Sequence, residues 1–95
     1  MAQHVVQMTP TPADRFDPKD IHVKSGDEIV WKNVEPAGGD QHTATSDDGT
    51  TFDTDYVDPG KSSSPVKIEG KPGTVIPYTC QVHPLHMKGT VTIDP

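Results

Sequence analysis

The segment Cys80-Gln81-Val82-His83-Pro84-Leu85-His86-Met87 gathers a thiol, two imidazoles and a thioether into eight residues of a 95-residue chain. All four are soft or borderline metal ligands. A cysteine at the end of a strand, followed by a tight turn, brings the residue three positions on back beside it. Cys80 and His83 can therefore share one ion. A second imidazole must come from elsewhere, and His42 is the best placed. It follows Gly38-Gly39 and precedes Thr43, away from the first strand-like stretches. Two His, one Cys and a weak Met make a trigonal site with a long axial bond, a donor set that selects copper. Zinc prefers more thiolates or a carboxylate and gains little from a thioether. Iron–sulfur clusters need several cysteines.

A lone Cys cannot close an intrachain disulfide, and its plainest role is that of a small buried hydrophobe. The enzymatic rival is a nucleophilic Cys/His pair. That reading is weaker because the His lies in the same short loop and no Asn or Asp orienter follows it. A chain this small also leaves little room for a substrate pocket.

The elements that must hold these groups are short strands. Val, Ile, Phe and Leu together number 18, close to the level at which a charged chain becomes a disorder candidate. Yet Val, Ile and Thr dominate and Leu is nearly absent, which suits pleated strands and not helices. Strand-like stretches cover Gln3–Met8, Ile21–Lys24, Glu28–Asn33, Val66–Glu69, Val75–Cys80 and Thr90–Ile93, with Gln41–Ser46 as a further candidate. Ser25-Gly26-Asp27 and Lys71-Pro72-Gly73 read as turns. Thr9–Asp20 reads as a Pro/Asp-rich connection, and Val34 to Ser64 as a long acidic one that is either functional or disordered. The expectation is one all-β domain over residues 1–95, a Greek-key β-sandwich of seven to eight strands with a weak core.

Lys plus Arg number 8 against 14 Asp plus Glu, a net charge of −6. That argues against nucleic acid or an anionic membrane as the main partner. No apolar run is long enough to span a bilayer. The N-terminus lacks the basic and apolar regions of a signal peptide.

Several blocks together resemble the cupredoxins, the small blue copper proteins that include plastocyanin, amicyanin and pseudoazurin. Phe16-Asp17-Pro18 with Ile21 and Val23, then Gly26-Asp27-Glu28-Ile29-Val30-Trp31-Lys32-Asn33, resemble the family's early strands. Tyr78-Thr79-Cys80, His83-Pro84 and Met87-Lys88-Gly89-Thr90-Val91 resemble its C-terminal ligand loop, the most specific part. His42 stands where the first ligand His is expected. Thr43 follows it where the family often has Asn tying the two ligand loops together, so here that link is either lost or made by a hydroxyl. The loop has three residues between His83 and Met87, a length between the amicyanin-like and plastocyanin-like forms. His86 falls where amicyanin-like spacing would put the axial Met.

The resemblance implies one mononuclear type 1 copper held by His42, Cys80 and His83, with Met87 as axial ligand and His86 as the alternative. It implies a monomeric electron carrier and not an enzyme. Its partners would be redox proteins such as a c-type cytochrome or a copper oxidase or reductase. It also implies a periplasmic or other extracytoplasmic location, with Met1 restoring a start to a mature fragment beginning near Ala2-Gln3. The surface edge of His83, framed by Pro84 and Leu85, would be the electron exit. Two rival roles are copper carriage or buffering, and small-molecule redox chemistry at an open copper site. His4 and His22 are expected to be solvent-facing strand residues and Trp31 core packing. The aspartates of residues 40–58 are expected to form a solvated loop, with a docking patch as the alternative.

Overall fold

The computed structural model describes residues 2–10 and 13–95. It is a sandwich of eight strands: β1 (Gln3–Thr9), β2 (Arg15–Asp17), β3 (Asp20–Lys24), β4 (Glu28–Asn33), β5 (Thr45–Ser46), β6 (Val66–Lys67), β7 (Val75–Thr79) and β8 (Lys88–Asp94). No helix occurs among the described residues. One sheet has the order β2-β1-β4-β6 and the other β3-β8-β7-β5. β1 runs parallel to β4 and β3 parallel to β8, while the remaining pairs are antiparallel.

The period-2 pattern turns one set of side chains of each strand inward. Ile29, Trp31 and Asn33 of β4 are buried, as are Ile21 and Val23 of β3, Ile76 and Tyr78 of β7, and Val91 and Ile93 of β8. Aromatic rings fill the middle. Tyr78 contacts Phe16 with centroids 4.6 Å apart, and Trp31 stacks on Phe52 at 5.1 Å. The Trp31 indole N–H donates to the Tyr78 hydroxyl at 3.3 Å, so neither polar tip is left bare. Trp31 is thus core, as its strand pattern predicts. Each such ring contributes about 1.5–3 kcal/mol of burial, which offsets the short supply of aliphatic residues.

Gly89 makes this packing possible. A Cβ there would lie 2.6 Å from the Lys19 carbonyl oxygen and 2.7 Å from the Tyr78 ring.

Two sequence expectations change. The Thr9–Asp20 connection contains a strand, β2, whose Met8↔Phe16 pairing delivers Phe16 to the core. A three-residue strand between prolines carries too little periodicity to be read from sequence. The acidic stretch from Val34 to Ser64 is built into the sandwich and is not a loose loop. Bridges join His42 to Val57 and Thr45 to Asp53, and Ala44, Phe52 and Val57 enter the core. Its aspartates serve as turn acceptors. Asp48 takes the amides of Thr50 and Thr51 and the Ser46 hydroxyl, and Asp47 takes the Thr79 hydroxyl.

Strand direction then determines where chemistry collects. β1 and β4 end together, with Met8 opposite Asn33, while β7 ends and β8 begins at the Thr79↔Lys88 pair. The connections leaving these ends carry Asp14, Glu35, Asp40, His42 and the whole Cys80–Met87 segment.

Candidate metal centre

Cys80 follows the last residue of β7 and is buried. The loop after it is closed by its own backbone. The His83 N–H donates to the Cys80 carbonyl at 3.2 Å, the Met87 N–H to the His83 carbonyl at 3.1 Å, and the Cys80 N–H to the Met87 carbonyl at 2.9 Å. His42 is held from the other side, exchanging backbone hydrogen bonds with Val57 at 3.2 and 2.8 Å. These two segments place His42 Nδ1 3.7 Å from Cys80 Sγ, both side chains shut off from solvent.

Three residues to which the sequence assigns no part in the site set this geometry. Glu35, also buried, approaches His42 Nε2 at 2.7 Å and fixes the ring so that Nδ1 faces the sulfur. Gly39 leaves room for it, since a Cβ there would sit 2.5 Å from a Glu35 carboxylate oxygen. Asn33, at the end of β4 and fully buried, donates through Nδ2 to the carbonyls of Asp40 and Val57 at 2.9 and 2.8 Å. Its Oδ1 accepts from the Glu35 N–H at 2.9 Å. One amide side chain thereby organises the loop that carries Glu35, Asp40 and His42. The only sequence signal for it is a polar residue on the buried phase of β4.

Thr43 joins the two segments. Its N–H donates to Cys80 Sγ at 3.4 Å, and its hydroxyl accepts from the Gln81 N–H at 2.9 Å. Of the two alternatives, a lost link or one made by a hydroxyl, the structure shows the hydroxyl.

The electrostatics favour a charged sulfur. Burial pushes the Cys80 thiol up, but the His42 imidazole and the amides of Thr43, His83 and Val82 outweigh it, and the net shift is downward. Burial pushes His42 down, but Cys80 and Glu35 reverse the sign and its net shift is upward. Both shifts favour the charged form of each group, and a thiolate is the form that binds metal.

His83 lies next to His42, with ring centroids 5.3 Å apart. Its outer edge is shared between carboxylates and surface. Nε2 is buried and faces Asp14 Oδ2 at 3.5 Å and Asp40 Oδ2 at 3.3 Å, while the rest of the half-buried side chain lines a surface hollow with Val82, Pro84, Leu85 and His86. The connections carrying the two aspartates fold over the ring. Leu85 itself is 91% exposed, and Val82 and Pro84 are exposed beside it. Met87 is fully buried, whereas the adjacent His86 is exposed, so the two side chains diverge.

Among the described residues, two groups bring ligand atoms mutually within 4.8 Å: Asp14 with His83 and His86, and Asp14 with Glu35 and His42. His42, Cys80 and His83 do not form such a group, and His83 faces the Asp14 and Asp40 carboxylates through Nε2. Far from this end, His22 is solvent-facing as expected and pairs with Asp94 at 2.8 Å, while His4 is half-buried against Asp27 at 2.9 Å.

With this geometry, comparison with known proteins gives a consistent family. The profile of copper binding proteins of the plastocyanin/azurin family matches residues 6–94. The chain belongs to that family. Solved structures with the same fold include an oxidised amicyanin variant, 21% identical over 95% of this chain and 80% of that one, with a TM-score of 0.73. A purple cupredoxin from Nitrosopumilus maritimus is 21% identical over 99% of this chain and 100% of that one, with a TM-score of 0.75. A copper-containing nitrite reductase from Thermus scotoductus SA-01 is 23% identical over 96% of this chain but 22% of its own, with a TM-score of 0.77. Comparison with curated proteins finds no significant match. The expected all-β sandwich, its cupredoxin character and the copper-binding family are thus shown.

Proposed function

We propose that the protein carries single electrons between redox partners through one type 1 copper held by His42, Cys80 and His83, with Met87 as the weak axial ligand. The observation that carries this reading is the 3.7 Å separation of His42 Nδ1 and Cys80 Sγ in a closed pocket. Metal bonds of about 2.0 Å to nitrogen and 2.3 Å to sulfur span that separation at an angle of about 120°, the angle of a trigonal site. The donor set fits copper. Bound there, copper supplies one-electron cycling between Cu(II) and Cu(I).

The chain's own residues do the rest. Glu35 holds the His42 ring and raises its basicity as a ligand. The Thr43 amide and hydroxyl keep the two loops at fixed separation. A scaffold that does not move when the charge changes keeps rearrangement small. Met87, fully buried at the end of the same closed loop, offers a thioether. Exposed Leu85, with Val82 and Pro84, supplies a small apolar contact suited to brief docking. The same reading has the protein work outside the cytoplasm as a monomer.

The test is stopped-flow mixing of the Cu(II) protein with a reduced c-type cytochrome. One electron per copper, transferred rapidly and reversibly, is expected. Transfer of the copper itself to an apo acceptor, without oxidation of the cytochrome, would establish copper carriage instead.

A further inference from the structure

His86 is left without a part in the buried centre, and His83 Nε2 is left without a partner. The Nε2 atom is buried and makes no hydrogen bond, although two carboxylates lie at 3.3 and 3.5 Å. A buried polar atom in that condition is costly unless something else satisfies it. The distances themselves are informative. A tetrahedral ion with bonds of about 2.1 Å holds its donors about 3.4 Å apart. The Asp14 oxygen already stands at that spacing from Nε2. Asp14, His83 and His86 each offer a ligand atom within 4.8 Å of the other two, and the rings of His83 and His86 lie 5.7 Å apart.

We propose that Asp14, His86 and Nε2 of His83 form a second metal site, at the mouth of the pocket, for a divalent borderline cation such as Zn2+. Nitrogen and carboxylate donors together suit zinc, and no sulfur is involved. Asp40 lies 3.3 Å from the same nitrogen but does not join this group of mutually close donors, so its carboxylate adds negative charge beside the site and solvent completes the coordination. His86 is exposed and Asp14 half-buried, so an ion can enter from solvent.

The site itself stands apart from the copper reading. Its consequence rests on that reading. A neutral imidazole has one lone pair to give, so one ion on each nitrogen of His83 requires the ring to lose both protons. Zinc at Nε2 therefore opposes copper at Nδ1, and the outer site acts as a competitor for loading of the inner one.

The experiment uses the full chain carrying Cys80→Ser, which removes the thiolate of the buried centre, with Zn2+ as the probe. Titration calorimetry is expected to find one Zn2+ per chain. Adding His86→Ala or Asp14→Asn is expected to weaken binding at least tenfold. Zinc affinity indifferent to both changes overturns the proposal. A second measurement keeps Cys80. The apo chain equilibrated with Zn2+ is mixed with Cu2+, and growth of the visible copper absorption is followed. Zinc is expected to slow it several-fold in the wild type and hardly at all in His86→Ala. An equal delay in both proteins overturns the competition. A chain that develops no visible copper absorption in any form contradicts the copper reading instead, and the calorimetry still decides the outer site.

Discussion

Thr43 and Cys80 are 37 residues apart in sequence and are joined by a 3.4 Å contact from the Thr43 N–H to the Cys80 sulfur. The same residue accepts the Gln81 N–H on its hydroxyl. The link between the two ligand segments thus has a backbone half, which any residue other than proline could supply, and a side-chain half, which needs an oxygen.

Substitution separates the halves. Thr43→Val keeps the shape and the amide but leaves the Gln81 N–H without its acceptor. A loss of about 1–3 kcal/mol is expected for a partly buried donor left unpaired, measured by denaturant unfolding of the apo protein. Thr43→Ser should recover most of it. Equal stability of the valine variant and wild type would mean that the hydroxyl contact contributes nothing.

With His42 as a copper ligand, as proposed, Glu35 would act on the metal through it. Glu35→Gln removes the negative charge behind the imidazole and makes it a poorer donor. Copper affinity is expected to fall by about 10–100-fold, as for other partners standing behind a ligand His, and the reduction potential to rise because Cu(II) gains more from a basic ligand than Cu(I). Competition with a copper chelator and voltammetry measure the two. An unchanged potential would reduce Glu35 to a packing residue.

How much of this was legible in the sequence follows from the range of each signal. Cys80, His83 and Met87 stand within one short segment, so their chemistry could be read directly. Glu28–Asn33 was read with its observed bounds because alternation is unbroken there. Asn33, Glu35 and Asp14 could not be read as site residues, because their roles depend on where β1 and β4 end relative to β7 and β8. Phe16 shows the same limit, since only the pairing of β2 with β1 turns it inward. The acidic stretch misled for a related reason. Asp47 and Asp48 look like free surface charge until the Thr79, Ser46, Thr50 and Thr51 donors around them are seen.

The opposite end of the sandwich provides a pH dependence free of the metal. The His4 ring at 2.9 Å, followed by the amides of Lys24 and Ala2, holds the Asp27 carboxyl well below the usual carboxylate range. Its folded value lies below its unfolded one. The stabilisation is therefore complete above about pH 4, near the unfolded value, and is lost as pH falls below that toward the folded value. Asp27→Asn should lower the melting temperature at pH 7, and the gap to wild type should close toward pH 2. A gap independent of pH would show that the ionised form is not what matters.

Met87 and His86 make opposite predictions at the copper centre. Met87 is fully buried and His86 is exposed. Met87→Ala is expected to shift both the visible spectrum and the reduction potential, while His86→Ala leaves both nearly unchanged. Spectral change on His86→Ala alone would transfer the axial role to the imidazole.

The central claim is that one copper sits between the His42 imidazole and the Cys80 thiolate. The most direct measurement is the visible absorption of the chain loaded with one equivalent of Cu(II), beside that of Cys80→Ser treated alike. An intense visible thiolate-to-copper band in the wild type, absent from the serine variant, is the predicted result. A wild-type protein that binds Cu(II) with only weak visible absorption, or a serine variant with the same spectrum, would contradict it.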